Sequence, residues 1–365
     1  MSILKEIAAF IPIKNFCFVL TEKCNIRCGH CVLECGPDKV GTISLEDGKK
    51  IISQIAELNP ESIFFSGGEP LLFPELTEGL IATATNRNVP NIGVQTNALW
   101  SFKFEDTLST VKHLQKIGIT IMIVSTDDYH VEFVPFKNVA HVISACNQIG
   151  LNIKVQVSCE RNSSFIDKMT SSFKGLKYHL TIQPIAPFGR GKQLPEQITM
   201  VHEKNHGSIC LSTDVTTVMP DGDVFACCGP AHRFQYPNIL RLGNFHDETL
   251  QEIIQNSYHN PLLNLIRLVG PVATIELLKS NGAKGFPPPD NSYMCNYCNK
   301  LGKFGKNYFK IASSILSDEN IREKLILTRV IMKKKLADKV ILNRIVNNER
   351  IENDFQDIDQ GTPSH

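Results

Sequence analysis

The chain has almost no net charge: 38 lysines and arginines stand against 37 aspartates and glutamates, a formal +1 over 365 residues. So even a balance offers no global field to hold a polyanion, and nucleic acid is not an expected partner. Long apolar runs are scarce too. None read along the sequence approaches the ~20 residues that a bilayer-crossing helix needs, so no membrane span is expected. The opening Met1-Ser2-Ile3-Leu4-Lys5-Glu6 has neither the basic start nor the apolar stretch of a secretory signal. Repeats at solenoid periods are missing as well. What is plentiful is cysteine, at twelve residues. Without a signal peptide these thiols point to a reducing compartment where sulfur binds metal, and a cytoplasmic protein is expected.

Apolar, β-branched runs recur at 16–20, 62–65, 91–96, 119–125, 152–158 and 180–185, with helical patterns between them. Ser44 opens a capping-box-like Ser-x-x-Asp47, after which Ile51, Ile52, Ile55 and Leu58 share a face. Leu108, Val111, Leu114 and Ile117 share another, closed by Gly118. Val139, Val142, Ile143, Cys146 and Ile149 share a third, ended by Gly150, and a weaker pattern covers 164–173. This alternation predicts parallel βαβ units with right-handed crossovers. Six units predict an α/β fold, a partial TIM-type (β/α)6 barrel over 14–195, whose chemistry gathers at the C-terminal strand ends.

Just behind the first run stands Cys24-Asn25-Ile26-Arg27-Cys28-Gly29-His30-Cys31, a CxxxCxxC. Thiolates this close can converge on one metal centre, and soft sulfur selects iron–sulfur clusters, zinc or copper(I). A closed zinc site wants four ligands. Three cysteines leave one iron of a four-iron cluster open to a cofactor. Taken alone, the motif also suits a zinc knuckle or three unrelated core thiols.

The spacing resembles that of the radical SAM superfamily, in which the open iron is chelated by S-adenosylmethionine. Its reductive cleavage there yields a 5′-deoxyadenosyl radical. The resemblance covers roughly residues 14–310 and implies roles at further strand ends. Ser66-Gly67-Gly68-Glu69-Pro70 is similar to the family's GGE motif, whose backbone and glutamate bind the cofactor's amino group. Glycine suits such a close backbone approach. Gln95-Thr96-Asn97 resembles the TNG position, with Ala98 in place of the usual glycine. Ser125-Thr126-Asp127 resembles the ribose-binding Ser-x-Asp, with helix capping as the alternative for Asp127. Gln156 and Ser158 are further candidates on the fifth strand. Pro187-Phe188-Gly189-Arg190-Gly191 resembles the PxGR exit, where Arg190 would meet a carboxylate or form a loop salt bridge. By the same resemblance His30 packs near the adenine.

A second cysteine set lies at Cys210, Cys227, Cys228, Cys295 and Cys298. Asp221-Gly222 between β-prone flanks predicts a hairpin that brings Cys227 back beside Cys210. The pattern resembles the opening of a SPASM auxiliary-cluster domain. No cysteine follows Cys298, so it is closer to the shortened Twitch form with one auxiliary cluster. Cys210, Cys227, Cys295 and Cys298 would ligate that second 4Fe–4S cluster, and a four-cysteine zinc ribbon also fits the spacing. Cys17 and Cys146 read as core residues. Cys228 is left beside a ligand. In peptide epimerases of this class a cysteine returns a hydrogen atom to the substrate, and Cys228 is the candidate; packing under the hairpin is the alternative.

The expected organisation is a barrel over 14–195, a Twitch/SPASM-like domain with a β-hairpin and helices over 200–310, a basic helix over 311–350 and a disordered tail over 351–365. The basic helix is expected to pack on the barrel with its charged face in water. Gly285-Phe286-Pro287-Pro288-Pro289 is a stiff connector to the last cysteine pair. With the first strand starting at Phe16, no N-terminal precursor-recognition domain is expected. The resemblance implies hydrogen abstraction from a peptide or small molecule, with an electron donor such as flavodoxin or ferredoxin. Epimerisation at Cα is the sharpest version, and two-electron oxidation or crosslinking is its rival. A non-enzymatic zinc or iron–sulfur module is the alternative from another class.

Overall fold

Helix α1 (Ile3–Phe10), which no sequence pattern announced, leads into the first strand in the computed structural model of this chain. The structure describes residues 3–159, 163–195, 198, 209–234, 238–286 and 293–346, with the backbone alone at 3–5, 303–307 and 336–346. Strands and helices then alternate: β1 (Asn15–Thr21), α2 (Leu45–Glu57), β2 (Ser62–Gly67), α3 (Pro74–Asn86), β3 (Asn91–Thr96), α4 (Phe104–Ile117), β4 (Ile121–Ser125), α5 (Phe136–Ile149), β5 (Asn152–Cys159), α6 (Phe165–Ser172) and β6 (His179–Pro184). The six strands lie parallel, side by side in chain order, as a partial barrel requires.

One face of each strand is buried under the helices: Phe16, Phe18 and Leu20 on β1, Ile63 and Phe65 on β2, Val155 and Val157 on β5. The alternate positions point into the barrel because strand side chains alternate faces. There the Phe64 ring lies over Gly93, where a Cβ would come within 2.5 Å of it. Helix ends follow the predicted signals. Ser44 Oγ accepts from the Asp47 N–H at 3.0 Å, and Gly118 and Gly150 close α4 and α5 at φ +126° and +71°. α3 carries no clear apolar periodicity and went unread.

Three more strands extend the same sheet, β7 (Val215–Val218), β8 (Asp223–Phe225) and β9 (Arg241–Asn244). β7 pairs parallel with β1, and β8 and β9 follow antiparallel, with Gly222 at φ +91° in the hairpin turn. The expected auxiliary hairpin is thus a continuation of the barrel sheet. Helices α7 (Leu250–Ser257), α8 (Pro261–Ser280), α9 (Met294–Ser317) and α10 (Glu319–Val346) complete the fold.

Two expectations fail here. α8 spans 20 residues with a mean hydropathy of 1.5, long and apolar enough by length and composition to cross a membrane. Its residues read as helical in sequence, but Asn264 and Arg267 interrupt the apolar series, so no unbroken run of that length shows there. It is apolar on all sides because 83% of that stretch is buried inside the protein. On α10 the expected polarity is partly reversed. Arg322 and Arg329 face inward with Leu325 and Ile326, while Leu327, Val330 and Ile331 are exposed. The tail at 351–365 and the prolines of the connector lie outside the described residues.

Candidate metal and cofactor centres

After β1 the chain enters the loop that carries Cys24, Cys28 and Cys31. Its ends are pinned by backbone bonds, Glu22 N–H to Gly41 O at 2.6 Å and Cys24 N–H to Gly36 O at 3.1 Å. The middle turns many carbonyls inward, and buried carbonyls need donors. Arg190 supplies three: Nε to Cys28 O at 2.8 Å, Nη2 to Cys35 O at 2.8 Å, and its backbone N–H to Cys31 O at 3.1 Å. The expected carboxylate partner or salt bridge of Arg190 is therefore replaced by a clamp on the cysteine loop. Arg233 adds a bond to Val32 O at 3.3 Å, another to Leu33 O, and an ion pair with Glu34 at 3.1 Å. His232 reaches Val32 O at 3.3 Å, and burial pushes its pKa down to about 4.

The three thiols have separate partners. Cys24 Sγ lies 3.6 Å from Asn97 Nδ2, Cys28 Sγ sits with the imidazoles of His30 and His130 within 4.8 Å, and Cys31 hydrogen-bonds the Cys35 thiol. Burial pushes the Cys24 thiol up to about 12, with Glu69, Cys28 and Cys31 adding to the shift, and raises Cys28 as well, with Asp127 and Cys31 adding there. The bond from Cys35 holds Cys31 below the ordinary thiol range. Buried thiols that resist ionising together suit a cation that takes the place of their protons.

Glu69 and Asn97 sit beside Cys24. The Glu69 carboxylate accepts from Asn97 N–H at 2.7 Å, Thr96 Oγ1 at 2.9 Å and Leu71 N–H at 3.1 Å. Burial outweighs these bonds and lifts its pKa to about 7. Ala98 takes the left-handed turn, φ +63°, in place of the usual glycine. Gly67 and Gly68 are small for another reason than the one expected. A Cβ on Gly68 would fall 2.0 Å from Lys23 O, so glycine admits the cysteine loop itself. At the strand ends Ser66 Oγ donates to Gln95 Oε1 at 3.1 Å and Gln95 Nε2 to Ser125 Oγ at 3.1 Å, with Gln156 in register beside Ser125.

Asp127 was expected to face ribose hydroxyls, yet it is 1% exposed and both its oxygens are taken. Oδ1 accepts from the Tyr129 and His130 N–H groups at 3.0 Å and meets His130 Nδ1 at 2.8 Å. Oδ2 faces His30 Nε2 at 3.1 Å and Ser158 N–H at 3.4 Å. Burial raises its pKa, but the two imidazoles outweigh that and hold it far below the usual range. His30 stacks on Tyr129 at 5.0 Å rather than standing free for a base. Tyr129, His130, His232, Arg233 and Cys35 were missed as parts of this site. The Asp-x-x-His spacing of 127–130 was the one local signal available.

The second set assembles from three places. Cys210 precedes the 3-10 turn Leu211–Asp214, Cys227 and Cys228 follow β8, and Cys295 and Cys298 lie in the first turns of α9. Burial drives the thiols of Cys210, Cys227, Cys295 and Cys298 up, and electrostatic repulsion among them drives the last three further. Cys227 Sγ accepts the Gly229 N–H at 3.1 Å. Cys228 lies within electrostatic reach of Cys210, Cys227 and Cys295. It is exposed, its N–H donates to Ser212 O at 3.2 Å, and it lies near Cys17 and Lys154, both inward-facing in the barrel.

Residues 18–158 match the radical SAM superfamily, and residues 210–273 match SPASM, an iron–sulfur cluster-binding domain. The second match includes Cys210, Cys227 and Cys228 and stops before Cys295. The antilisterial bacteriocin subtilosin biosynthesis protein AlbA of Bacillus subtilis is 26% identical over 183 residues, 48% of this chain and 40% of that protein. A probable GTP 3′,8-cyclase of Methanococcus maripaludis is 32% identical over 110 residues, 30% of this chain and 36% of that protein. The chain thus spans less than half the length of these relatives. The crystal structure of Streptococcus suis SuiB bound to precursor peptide SuiA superposes with a TM-score of 0.55 at 15% identity, over 80% of this chain and 78% of that one, a likeness of fold.

Proposed function

Because this chain carries a radical SAM domain followed by a SPASM domain, which take a 4Fe–4S cluster with S-adenosylmethionine and further iron–sulfur clusters, we propose that it modifies a ribosomally made peptide. The observation that carries this is the meeting, at one rim of the barrel, of the clamped cysteine loop with Glu69, Asn97 and the Asp127–histidine group. Bound there, cluster and cofactor supply a carbon-centred radical that removes a hydrogen atom from the substrate.

Cys24, Cys28 and Cys31 hold the reducing cluster in this reading. Glu69 receives the cofactor's ammonium, since an arriving cation favours the ionised form of a carboxyl otherwise poised at about 7. Asn97 is oriented by Glu69 and Asn25, and Gly67 and Gly68 let the loop close on it. Ser125 and Gln156 face the ribose, whereas Asp127 acts by holding His30 and His130 in place. Cys210, Cys227, Cys295 and Cys298 hold the auxiliary cluster. The relative named for bacteriocin biosynthesis supports a peptide substrate. Twelve free cysteines suit a cytoplasmic setting with flavodoxin or ferredoxin as donor.

Epimerisation at Cα is the sharper form. Cys228, exposed next to Cys227 and near the rest of the four-thiol set, gives its S–H hydrogen to the opposite face of the substrate carbon. The sulfur radical left behind then takes one electron, delivered from the external donor, and one proton. The four-thiol set favours a second form, two-electron oxidation: a cluster held by Cys210, Cys227, Cys295 and Cys298 would supply an electron acceptor, and no hydrogen donor would be needed.

Anaerobic reconstitution, metal analysis and deoxyadenosine release with dithionite test the whole reading. Zinc without iron, or no cofactor cleavage, rejects it in favour of a metal-binding module. With a substrate in hand, Cys228→Ala separates the two forms: an epimerase still makes deoxyadenosine but not the inverted product, and an oxidase turns over normally.

A further inference from the structure

Three cations converge on one carboxylate beside Cys210. Asp214, at the end of the 3-10 turn that starts after Cys210, pairs with Arg329 of α10, and Lys333 Nζ meets its other oxygen at 2.7 Å. The Arg329 side chain is 3% exposed. Arg267 of α8 is 1% exposed and lies within electrostatic reach of the same carboxylate. It donates to Ser257 Oγ at 3.1 Å and lies over the Tyr258 ring at 5.2 Å. Two nitrogens of each guanidinium, Nε and Nη1, have no hydrogen-bond partner among the described residues.

Buried charge is expensive when uncompensated. Two buried guanidiniums and a half-exposed ammonium leave positive charge that Asp214 alone does not neutralise. The thiol of Cys210 lies within electrostatic reach of Arg329. Neutral thiols offer these cations nothing, whereas a cubane held by four thiolates is negative in both of its working oxidation states.

We infer that Arg329, backed by Arg267, is the electrostatic counterpart of the auxiliary cluster and sets its reduction potential. The inference rests on the reading that Cys210, Cys227, Cys295 and Cys298 hold that cluster. Reduction adds negative charge, so a nearby cation stabilises the reduced form and raises the midpoint. Asp214 is the counterweight, holding part of that field back from the cluster. These are positioning residues of charge, and neither touches a reacting atom.

The test is a redox titration of the reconstituted full-length protein, without substrate, following the two cluster signals by EPR. Arg329→Gln should lower the auxiliary midpoint, Asp214→Asn should raise it, and Arg329→Lys should leave it near the wild-type value. The N-terminal cluster should titrate unchanged in all three. Shifts of opposite sign on one cluster are not what loosened packing produces. If Arg329→Gln fails to load iron, Lys333→Gln, at a half-exposed position, should still give a smaller drop. Auxiliary midpoints that ignore Asp214→Asn and both loss-of-charge variants overturn the inference alone. A wild-type protein with no second cluster overturns the ligand reading and takes this with it.

Discussion

The two cysteine centres are held in opposite ways. Around Cys24, Cys28 and Cys31 the backbone is the anchored part: Arg190, Arg233 and His232 reach across the chain to its carbonyls, while the sulfurs themselves go to different neighbours. Around Cys210, Cys227, Cys295 and Cys298 the sulfurs are the meeting point. They come from segments far apart in sequence, bury one another and repel on ionising. The first centre is shaped by bonds to its backbone, and the second by the convergence of its sulfurs, the arrangement in which metal binding would couple to folding.

The largest break in this comparison comes from the ligands. Cys28→Ser should abolish deoxyadenosine formation while the auxiliary signal survives. Cys298→Ser should cost about half the bound iron and leave cofactor cleavage in place, as iron assay and product chromatography would show. Next comes the clamp. Arg190→Ala removes two charged donors from the Cys28 and Cys35 carbonyls, leaving Cys28 O with only the long bond from Cys31 N–H at 3.3 Å, and denaturant unfolding of the metal-free protein should show a loss of about 4 kcal/mol. Among the described residues no single side chain clamps the second centre across several of its carbonyls as Arg190 does the first, so truncations there should matter most in the loaded form.

A third effect sharpens the comparison through pH. Glu69 is raised to about 7 in the fold by burial, so the folded protein holds a proton there that the unfolded chain releases from about 4.5 upward. The sign follows: stability is lost as pH rises through that window, by about 3 kcal/mol for this one group. Glu69→Gln should flatten that part of the pH profile of the metal-free protein, and a wild-type profile that rises across the window would contradict the assignment. The smallest effect belongs to α10. Leu327→Ser, at an exposed position, should move stability by no more than about 0.5 kcal/mol in thermal unfolding, whereas Leu325→Ala on the buried face should cost about 2 kcal/mol.

Legibility in the sequence followed the range of the interaction. The βαβ alternation, the caps at Ser44, Gly118 and Gly150 and the Asp221-Gly222 hairpin are local devices, and each was readable from neighbouring residues. Arg190 was noticed for its motif and given the wrong kind of partner, because the carbonyls it serves lie more than 150 positions away. Asp127 reads in sequence as a ribose acceptor or a local cap; its bonds from the Tyr129 and His130 N–H groups are of the second kind, but nothing nearby in sequence says that His30 closes its far oxygen. At α8 the charge of Arg267 breaks up, in sequence, the apolar series of a helix that the fold mostly buries.

By itself the sequence determined the class of architecture and the two inventories of sulfur, because periodicity and cysteine spacing are properties of adjacent residues. Only the tertiary structure decided which donors hold the N-terminal loop, that the Asp127 carboxylate is filled from within, and that two arginines turn inward beside Leu325 and Ile326 on the last helix. Those outcomes depend on where unsatisfied carbonyls and buried charges end up after packing, and no local pattern encodes that.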